Sequence, residues 1–599
     1  EFRRVLFRSM TNLQTPPSGS RLARELPKTP TRWRGGGPRP KILLASVFGP
    51  YARDDEYGSR RINPMELWHN QVTRVQGAFS LRMFHRSWGL MLIQANIDAP
   101  CTCLDFPSRD RFIRELEEHA YDIIGISAIM PNVLKVKEMC RLIREHQPQA
   151  MIVIGGHISN LSDLSDRVDA DCIVRGDGVR WFRELLGEDI GRPIRHPRIW
   201  SGLNRRCMGV NMRFRPGTSA AALIPSVGCP VGCNFCATSA MFGGKGHCVD
   251  FFHSAEELFD VMCNLADEMK TRSFFVMDEN FLLRKKRALR LLELMRENDR
   301  AWGLYVFSSA DAIRQYSMEQ LAGLGVSWLW LGLEGERSRY GKLEGADTYA
   351  LVRELQEHGI RVLGSSIVGL EEHTPENIDA AIDYAVRHEA DFHQFMLYTP
   401  IPGTPLHAQL DGDGALLEEN GCSLADTHGQ DRFNFRHANL EPGSETEYLL
   451  RAFERDFRTY GPSTVRMVRT LLKGHRRYKD HPDARIRRRF AIETDGMWAV
   501  PAATVWAARK WFKGNPEVRG RMDALLRDLY AEFGLKSRLA APVIGRYLYG
   551  RLRREDRRLR EGRTYEPPTF YERNYESNDG ATVLKSVAGL RGASARACT

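Results

Sequence analysis

No apolar run in this chain approaches the roughly 18 residues that a membrane-spanning helix needs, and no secretory signal peptide is read at its start. Twelve cysteines among 599 residues are too few for a disulfide framework. There is no internal repeat. No stretch interleaves aromatic and basic residues in the manner of a base-stacking sheet, so a nucleic-acid partner is not expected. A hydrophobic content of 42% is ordinary for a globular chain and supports sizeable cores; the length suggests three or four domains. Acidic residues are outnumbered: 86 Lys and Arg against 75 Asp and Glu give a net charge of +11. Such a balance favours anionic partners, among them lipid headgroups or an acidic substrate. Arg546–Arg563 alone carries eight arginines against three acids, which reads first as a solvated helix face; Arg466–Arg489 is similarly basic. Glu1–Ser9 precede Met10 and read as foreign to the protein. Thr11–Pro40, rich in Pro, Gly and Arg, is expected to be a disordered tail.

What stands out against this background is Cys229, Cys233 and Cys236, spaced C-x3-C-x2-C with Phe235 before the last. Three thiolates can hold three irons of a [4Fe–4S] cluster and leave the fourth open to another ligand. A structural zinc site would need four closed ligands and usually paired CxxC knuckles; no second pair lies nearby, although His247 or Cys248 is a conceivable fourth ligand. The run resembles the cluster motif of radical S-adenosylmethionine (SAM) enzymes. That resemblance implies that SAM binds the open iron and is cleaved to a 5'-deoxyadenosyl radical.

The residues that follow predict alternating strands and helices. Strands are expected at Ala222–Val227, Phe274–Met277, Leu304–Phe307, Trp328–Leu333, Arg361–Val368 and Phe392–Tyr398, with helices at Ser254–Met269 and Arg284–Glu297. Six units resemble the partial (β/α)6 TIM-type barrel of radical SAM enzymes, spanning about 215–415, in which function collects at the carboxyl ends of the strands. The resemblance implies that Asp278, Glu279 and Asn280, which follow the second strand, occupy the place of a Gly-Gly-Glu-type turn for the SAM amino group. This chain has no glycine pair there. Glu334, after the fourth strand, is implied to touch the SAM ribose or carboxylate, and Ser308 and Ser309, ending the third, to line the same site. Gly403-Thr404-Pro405-Leu406 resembles a segment that closes the barrel in relatives with an N-terminal cobalamin module. For each of these residues an ordinary strand-end turn or cap is the competing reading.

Residues 41–200 predict a doubly wound, Rossmann-like parallel sheet. Its strands are read at Lys41–Phe48 (followed by Gly49-Pro50), Leu90–Gln94, Asp122–Ile129, Met151–Ile154 and Asp171–Val174, with a helix at Asn132–Glu145. Gly155-Gly156-His157 and Arg175-Gly176-Asp177-Gly178 end the last two. Their order resembles the cobalamin-binding domain of B12-dependent radical SAM enzymes, which implies that Gly155, Gly156, His157, Gly176 and Gly178 approach cobalamin. The Asp-x-His-x-x-Gly motif that supplies a lower-face histidine is missing; Asp426-Thr427-His428 lacks the glycine and lies elsewhere. His157 reads as a loop or capping histidine rather than a cobalt ligand, and a module that binds nothing is the competing reading. The three cysteines of a second cluster, as methylthiotransferases carry, are not found: Cys103, Cys140 and Cys172 read as small buried hydrophobes.

Residues 440–576 read as mostly helical, at Glu445–Thr459, Ser463–Leu472 and Glu517–Phe533. Met497–Phe512 gathers Trp498, Trp506, Trp511 and Phe512 beside Arg509, Lys510 and Lys513. That is the makeup of an interfacial amphipathic helix or of aromatics packed against the barrel. Residues 577–599 read as a loose tail. The resemblance as a whole, covering about Lys41–Leu406, implies a cytoplasmic enzyme, with peripheral membrane contact left open. It implies a [4Fe–4S] cluster, SAM and cobalamin, an electron donor such as flavodoxin or ferredoxin, and methylation of a carbon of a small-molecule or lipid substrate. Two alternatives remain: the same radical chemistry without cobalamin, and a non-catalytic cluster- or zinc-bearing binding protein.

Overall fold

The computed structural model describes residues 39–47, 57, 62, 66–335, 347–419, 421–563 and 570–575. Of the expected tails at 1–40 and 577–599 only Arg39 and Pro40 are among them; the rest, and the Gly49-Pro50 turn, lie outside.

The first sheet contains β1 (Ile42–Ser46), β2 (Cys101–Asp105), β3 (Ile123–Ser127), β4 (Met151–Gly155) and β5 (Cys172–Ile173). Neighbours run β2-β1-β3-β4-β5, all parallel. This is the doubly wound 2-1-3-4-5 order, whose ligand crevice lies outside the carboxyl ends of the strands. Successive residues feed opposite faces. Leu43, Ala45, Ile124 and Ile126 pack under α2 (Arg109–Glu118) and α3 (Val133–His146). Ile42, Leu44, Ile123 and Val153 pack under α1 (Trp88–Asn96) and α4 (Gly178–Leu186).

The first sheet departs from the expected pattern at two places. Leu90–Gln94 is not a strand but the middle of α1, with Leu90, Met91, Gln94 and Ile97 buried at helical spacing; a short apolar run carries no period of its own. The second strand is instead Cys101–Asp105, whose Thr102 and Asp105 hide its apolar character although every residue of it is buried.

The second sheet contains β6 (Ala221–Leu223), β7 (Ser273–Val276), β8 (Gly303–Ser308), β9 (Val326–Glu334), β10 (Arg361–Val368) and β11 (Phe392–Leu397). They lie side by side in chain order, all parallel. Between them run α5 (Ala237–Met241), α6 (Ala255–Met269), α7 (Lys285–Glu297), α8 (Met318–Leu324), α9 (Thr348–Glu357) and α10 (Ile378–Val386), with α11 (Pro405–Gly412) after the last strand. A capping box, Ser254 with Glu257, starts α6, and it satisfies amide groups that a helix end leaves bare. One face of this sheet is fully buried under the helices through Phe274, Val276, Leu304, Val306, Leu329 and Leu331. The other face is only half-buried.

Helices follow: α12 (Glu445–Tyr460), α13 (Ser463–Tyr478), α14 (Ala484–Glu493), α15 (Val500–Trp511) and α16 (Pro516–Arg560). Pro501, in the first turn of α15, and Pro516, the first residue of α16, sit where a missing N–H costs nothing. The chain then returns to the first sheet: β12 (Phe570–Arg573) pairs antiparallel with β2, where the pattern had suggested helix. Among the described residues no helix is long and apolar enough to cross a membrane.

Candidate active site

The three motif cysteines sit on the loop between β6 and α5, at the carboxyl edge of the second sheet. Backbone hydrogen bonds hold the loop: Cys236 N–H donates to the Cys233 carbonyl at 3.0 Å, and Ser239 Oγ donates to the Cys229 carbonyl at 2.8 Å. Cys236 caps α5, its sulfur accepting from Ser239 N–H at 3.4 Å. Burial pushes the Cys229 thiol up to about 11, and neighbouring Cys236, Cys233 and Glu279 push the same way against an N–H from Val231. Three thiolates so placed repel one another, so the ionised set calls for a cationic centre. Among the described residues no three His, Cys, Asp or Glu side chains converge as they would on a single ion.

The residues after β7 divide. Asp278 is fully engaged: Ser226 Oγ donates to it at 2.8 Å and Arg287 pairs with it at 2.8 Å, both in buried positions. It ties the strand end to the entry of the cysteine loop and to α7. Glu279 points elsewhere. Its carboxyl is pushed up to about 8 by burial, with Asp278 adding and an N–H from Gly228 opposing, and its Oε2 is buried without a partner. Asn280 joins β7 to β8: its Oδ1 accepts from Ser308 Oγ at 2.8 Å and its Nδ2 donates to Ser309 Oγ at 2.9 Å. Glu334 is buried at the end of β9 in a left-handed conformation, φ 49°. The structure thus brings Glu279, Asn280, Ser308 and Ser309 to one edge beside the cysteine loop, with Asp278 behind them. An uncompensated buried carboxyl next to the loop fits a cationic group such as the SAM ammonium.

The first sheet meets this edge directly. Gly155 and Gly156 end β4; a Cβ on Gly156 (φ +84°) would stand 2.6 Å from the Ala128 carbonyl, so only glycine fits. His157 is half-buried with Nε2 3.0 Å from Thr238 Oγ1, and desolvation lowers its pKa. Asn160 Nδ2 donates to the Ala237 carbonyl at 3.1 Å, and Arg175 donates to the Ala240 carbonyl at 2.7 Å. All three bonds land on α5, the helix that leaves the cysteine loop. Gly178 packs on Ile93, and Gly176 (φ +94°) faces open space. Gly403 closes the junction from the other side, with a would-be Cβ 2.8 Å from the Asn160 carbonyl, while Leu406 N–H donates to the Asn234 carbonyl of the cysteine loop at 3.0 Å. A cleft of about 1230 Å³ opens here, lined by Asn160, Cys172, Arg175, Gly403 and Thr404 among others. His428 is buried in its own turn, where Nδ1 accepts from Gln430 N–H at 3.2 Å.

Sequence reasoning missed the half-buried face of the second sheet. Phe275, Tyr305, Phe307, Trp328 and Trp330 alternate with the buried core residues there. Phe307 and Trp330 stack at 5.0 Å. The segment before α1 covers part of this face: Trp68 meets Trp328 edge-on at 6.3 Å, and His85 stacks on Phe275 at 5.7 Å. The signal was the aromatic alternation in Trp328-Leu329-Trp330 and Tyr305-Val306-Phe307, which had been read only as strand.

Residues 81–186 match the B12 binding domain and residues 223–385 the radical SAM superfamily. The chain thus carries a B12 binding domain followed by a radical SAM domain. It is similar to an uncharacterised methyltransferase of Pyrococcus horikoshii, 25% identical over 54% of this chain and 76% of that protein. It is also similar to the bacteriochlorophyllide d C-8(2)-methyltransferase of Chlorobaculum tepidum, 22% identical over 50% of this chain and 70% of that protein. Among solved structures it is similar to the radical SAM methyltransferase TsrM from Kitasatospora setae, described with cobalamin and a [4Fe–4S] cluster bound. That match has a TM-score of 0.47 and 16% identity, and covers 76% of this chain and 99% of TsrM.

Proposed function

We propose that the enzyme transfers a methyl group to a carbon of an apolar small molecule in a reaction that needs both cobalamin and SAM. The observation that carries this reading is the direct seating of β4 and β5 of the B12 domain on α5, so that both cofactor edges open on one mouth. Cys229, Cys233 and Cys236 would hold the cluster, and Glu279 the SAM ammonium. The Asn280–Ser308–Ser309 network and Glu334 would line the rest of SAM, with Asp278 as the support behind them. Gly155, Gly156, Gly176 and Gly178 would let the backbone approach cobalamin; His157, engaged with Thr238, is left as a positioning residue. Bound together, these groups would supply a 5'-deoxyadenosyl radical and a methyl donor. The protein's own work is to hold them in register and exclude water and oxygen.

We read the second sheet as the partial barrel and its half-buried aromatic face as the substrate wall. Flat apolar side chains suit a ring-bearing or lipid-like substrate, in keeping with the bacteriochlorophyllide that the Chlorobaculum relative takes. Reduction of the cluster would come from an outside donor such as flavodoxin or ferredoxin in a reducing, cytoplasmic setting. The cleft of about 620 Å³ lined by Arg284, Lys285, Lys286 and Arg290 would suit an acidic partner.

The test is to incubate anaerobically reconstituted enzyme with SAM, cobalamin and a strong reductant, and to measure 5'-deoxyadenosine and S-adenosylhomocysteine together. Both products are expected, the second only with cobalamin, and Cys233→Ala abolishes both. Deoxyadenosine without cobalamin-dependent S-adenosylhomocysteine would move the reading to cobalamin-independent radical chemistry. Neither product from fully cluster-loaded protein would overturn it.

A further inference from the structure

The helix α16 is two rods. At Gly534 the backbone turns to φ 62°, ψ −145°, so Leu535–Arg560 has faces of its own. One face is buried through Ser537, Ala541, Gly545, Leu548 and Leu552. It seats on α15: Trp506 approaches so closely that a Cβ on Gly545 would fall 2.5 Å from its ring, and Trp511 meets Tyr549 at 6.4 Å. This pairing accounts for Trp506 and Trp511; Phe512 packs instead on Phe79 and Phe457, and Trp498 is exposed.

The opposite face is unusual. Leu535, Leu539, Val543 and Tyr547 follow at four-residue steps and are 69%, 63%, 68% and 60% exposed. At about 100° per residue they lie roughly opposite the buried face. Trp506 with Gly545 and Trp511 with Tyr549 keep nearly one offset, so α15 runs alongside in parallel and brings Val500, 57% exposed, level with Leu539. The charge around this stripe has one sign. Phe533–Arg554 contains Lys536, Arg538, Arg546, Arg551, Arg553 and Arg554 and no acid; all but Arg551 are exposed. By the same helical spacing, Lys536, Arg546, Arg553 and Arg554 fall within the arc of the stripe and Arg538 just outside it.

We propose that this face docks on an anionic phospholipid surface, with the rod lying in the plane of the headgroups. An apolar stripe about 18 Å long, bordered only by cations, is complementary to a layer that offers hydrocarbon beneath negative charge. A second copy is disfavoured as the occupant, because a two-fold contact would set two all-cationic faces against each other. The docking does not rest on the chemistry at the cluster, so its failure would leave the methyl-transfer reading untouched.

Flotation of the full chain with vesicles of phosphatidylcholine plus phosphatidylglycerol, and with phosphatidylcholine alone, tests it. The wild type is expected to float with the anionic vesicles and to be released by salt. The combined Leu535→Glu, Leu539→Glu and Val543→Glu variant is expected to float roughly tenfold less, with an unchanged Tm because these positions are exposed. A Lys536→Glu, Arg553→Glu variant is expected to lose the preference for anionic vesicles. A wild type that stays at the bottom of the gradient would overturn the proposal, as would a stripe variant that floats normally. Light scattering that shows a wild-type dimer dissolved by the stripe substitutions, with vesicle binding unaltered, would assign the face to a second copy and overturn it equally.

Discussion

Glu279 and Asp278 are neighbours with opposite fates. Asp278 spends its carboxylate on Ser226 and Arg287, whereas Glu279 keeps a buried oxygen without a partner beside the cysteine loop. Substituting each separates support from contact. Glu279→Gln preserves the shape and removes the carboxyl that a bound cation would ionise, so SAM affinity in an equilibrium-binding measurement is expected to fall on the order of tenfold to a hundredfold, with cluster absorbance intact. Asp278→Asn leaves Arg287 buried beside an uncharged amide. The expected result is a loss of about 3 kcal/mol of stability, read as a lower Tm and poorer cluster incorporation. Should the two variants behave alike, the division of roles fails.

At the scale of elements, the contacts that place the site are those between distant segments. Arg206, on the strand Leu203–Cys207, pairs with Glu555 of α16, and Arg558 shares the same carboxylate. The Glu555 carboxyl is held down to about 2; burial opposes the shift, and the hydrogen bonds and charges of Arg206 and Arg558 outweigh it. A carboxylate whose folded pKa is depressed contributes stability above its unfolded value and loses it as pH falls towards the folded one. About 3 kcal/mol of Glu555-dependent stability is therefore expected at neutral pH. It should vanish between pH 4.5 and about 2, and Glu555→Gln should flatten that part of the Tm profile. Gly403→Ala tests the other junction: with φ +84° and the Asn160 carbonyl 2.8 Å from the added methyl, it should cost about 2 kcal/mol and lower cobalamin retention in gel filtration. What was legible in the sequence follows the same division. Arg361–Val368 is the expected strand to the residue, because a β-rich run between a glycine turn and Gly369 admits little else. Leu90–Gln94 misled, because four apolar residues in a row fit a buried strand and a helix alike. The cysteine loop announced itself by spacing, and Glu279 by its place after a strand. The hydrogen bonds from Asn160 and Arg175 to α5 join residues 65 or more apart, and no local pattern encodes them. Nor does a pattern reveal that Leu535, Leu539, Val543 and Tyr547 face away from the core, since their spacing is that of any core stripe.

At the scale of the whole molecule, the chain closes on itself. After α16 it returns as β12 to cover the edge of the first sheet, which would otherwise present the open backbone of β2. The cover is more than a ladder. Arg86, buried against Asp105, also pairs with Glu572 at 3.1 Å. Cys101 N–H donates to Asn574 Oδ1 at 2.8 Å, and Gln94 Nε2 reaches the Glu572 carbonyl at 3.2 Å. The C-terminal segment therefore completes the B12 domain although some 470 residues separate the partners. Ending the chain after Arg563 removes the ladder and leaves Arg86 and Gln94 short of partners. The expected cost is on the order of 3 kcal/mol, concentrated in the first sheet. Hydrogen exchange should accordingly quicken at Cys101–Asp105 and little at Arg361–Val368. Cobalamin retention should drop while the cluster still assembles on Cys229, Cys233 and Cys236. The exposed β2 edge should also make the truncated protein self-associate, and that defect separates this role from a tail that merely rests on the surface. A truncated chain that keeps its cobalamin, its exchange pattern and its monomer profile would show that β12 is an ornament of the sheet and not one of its supports.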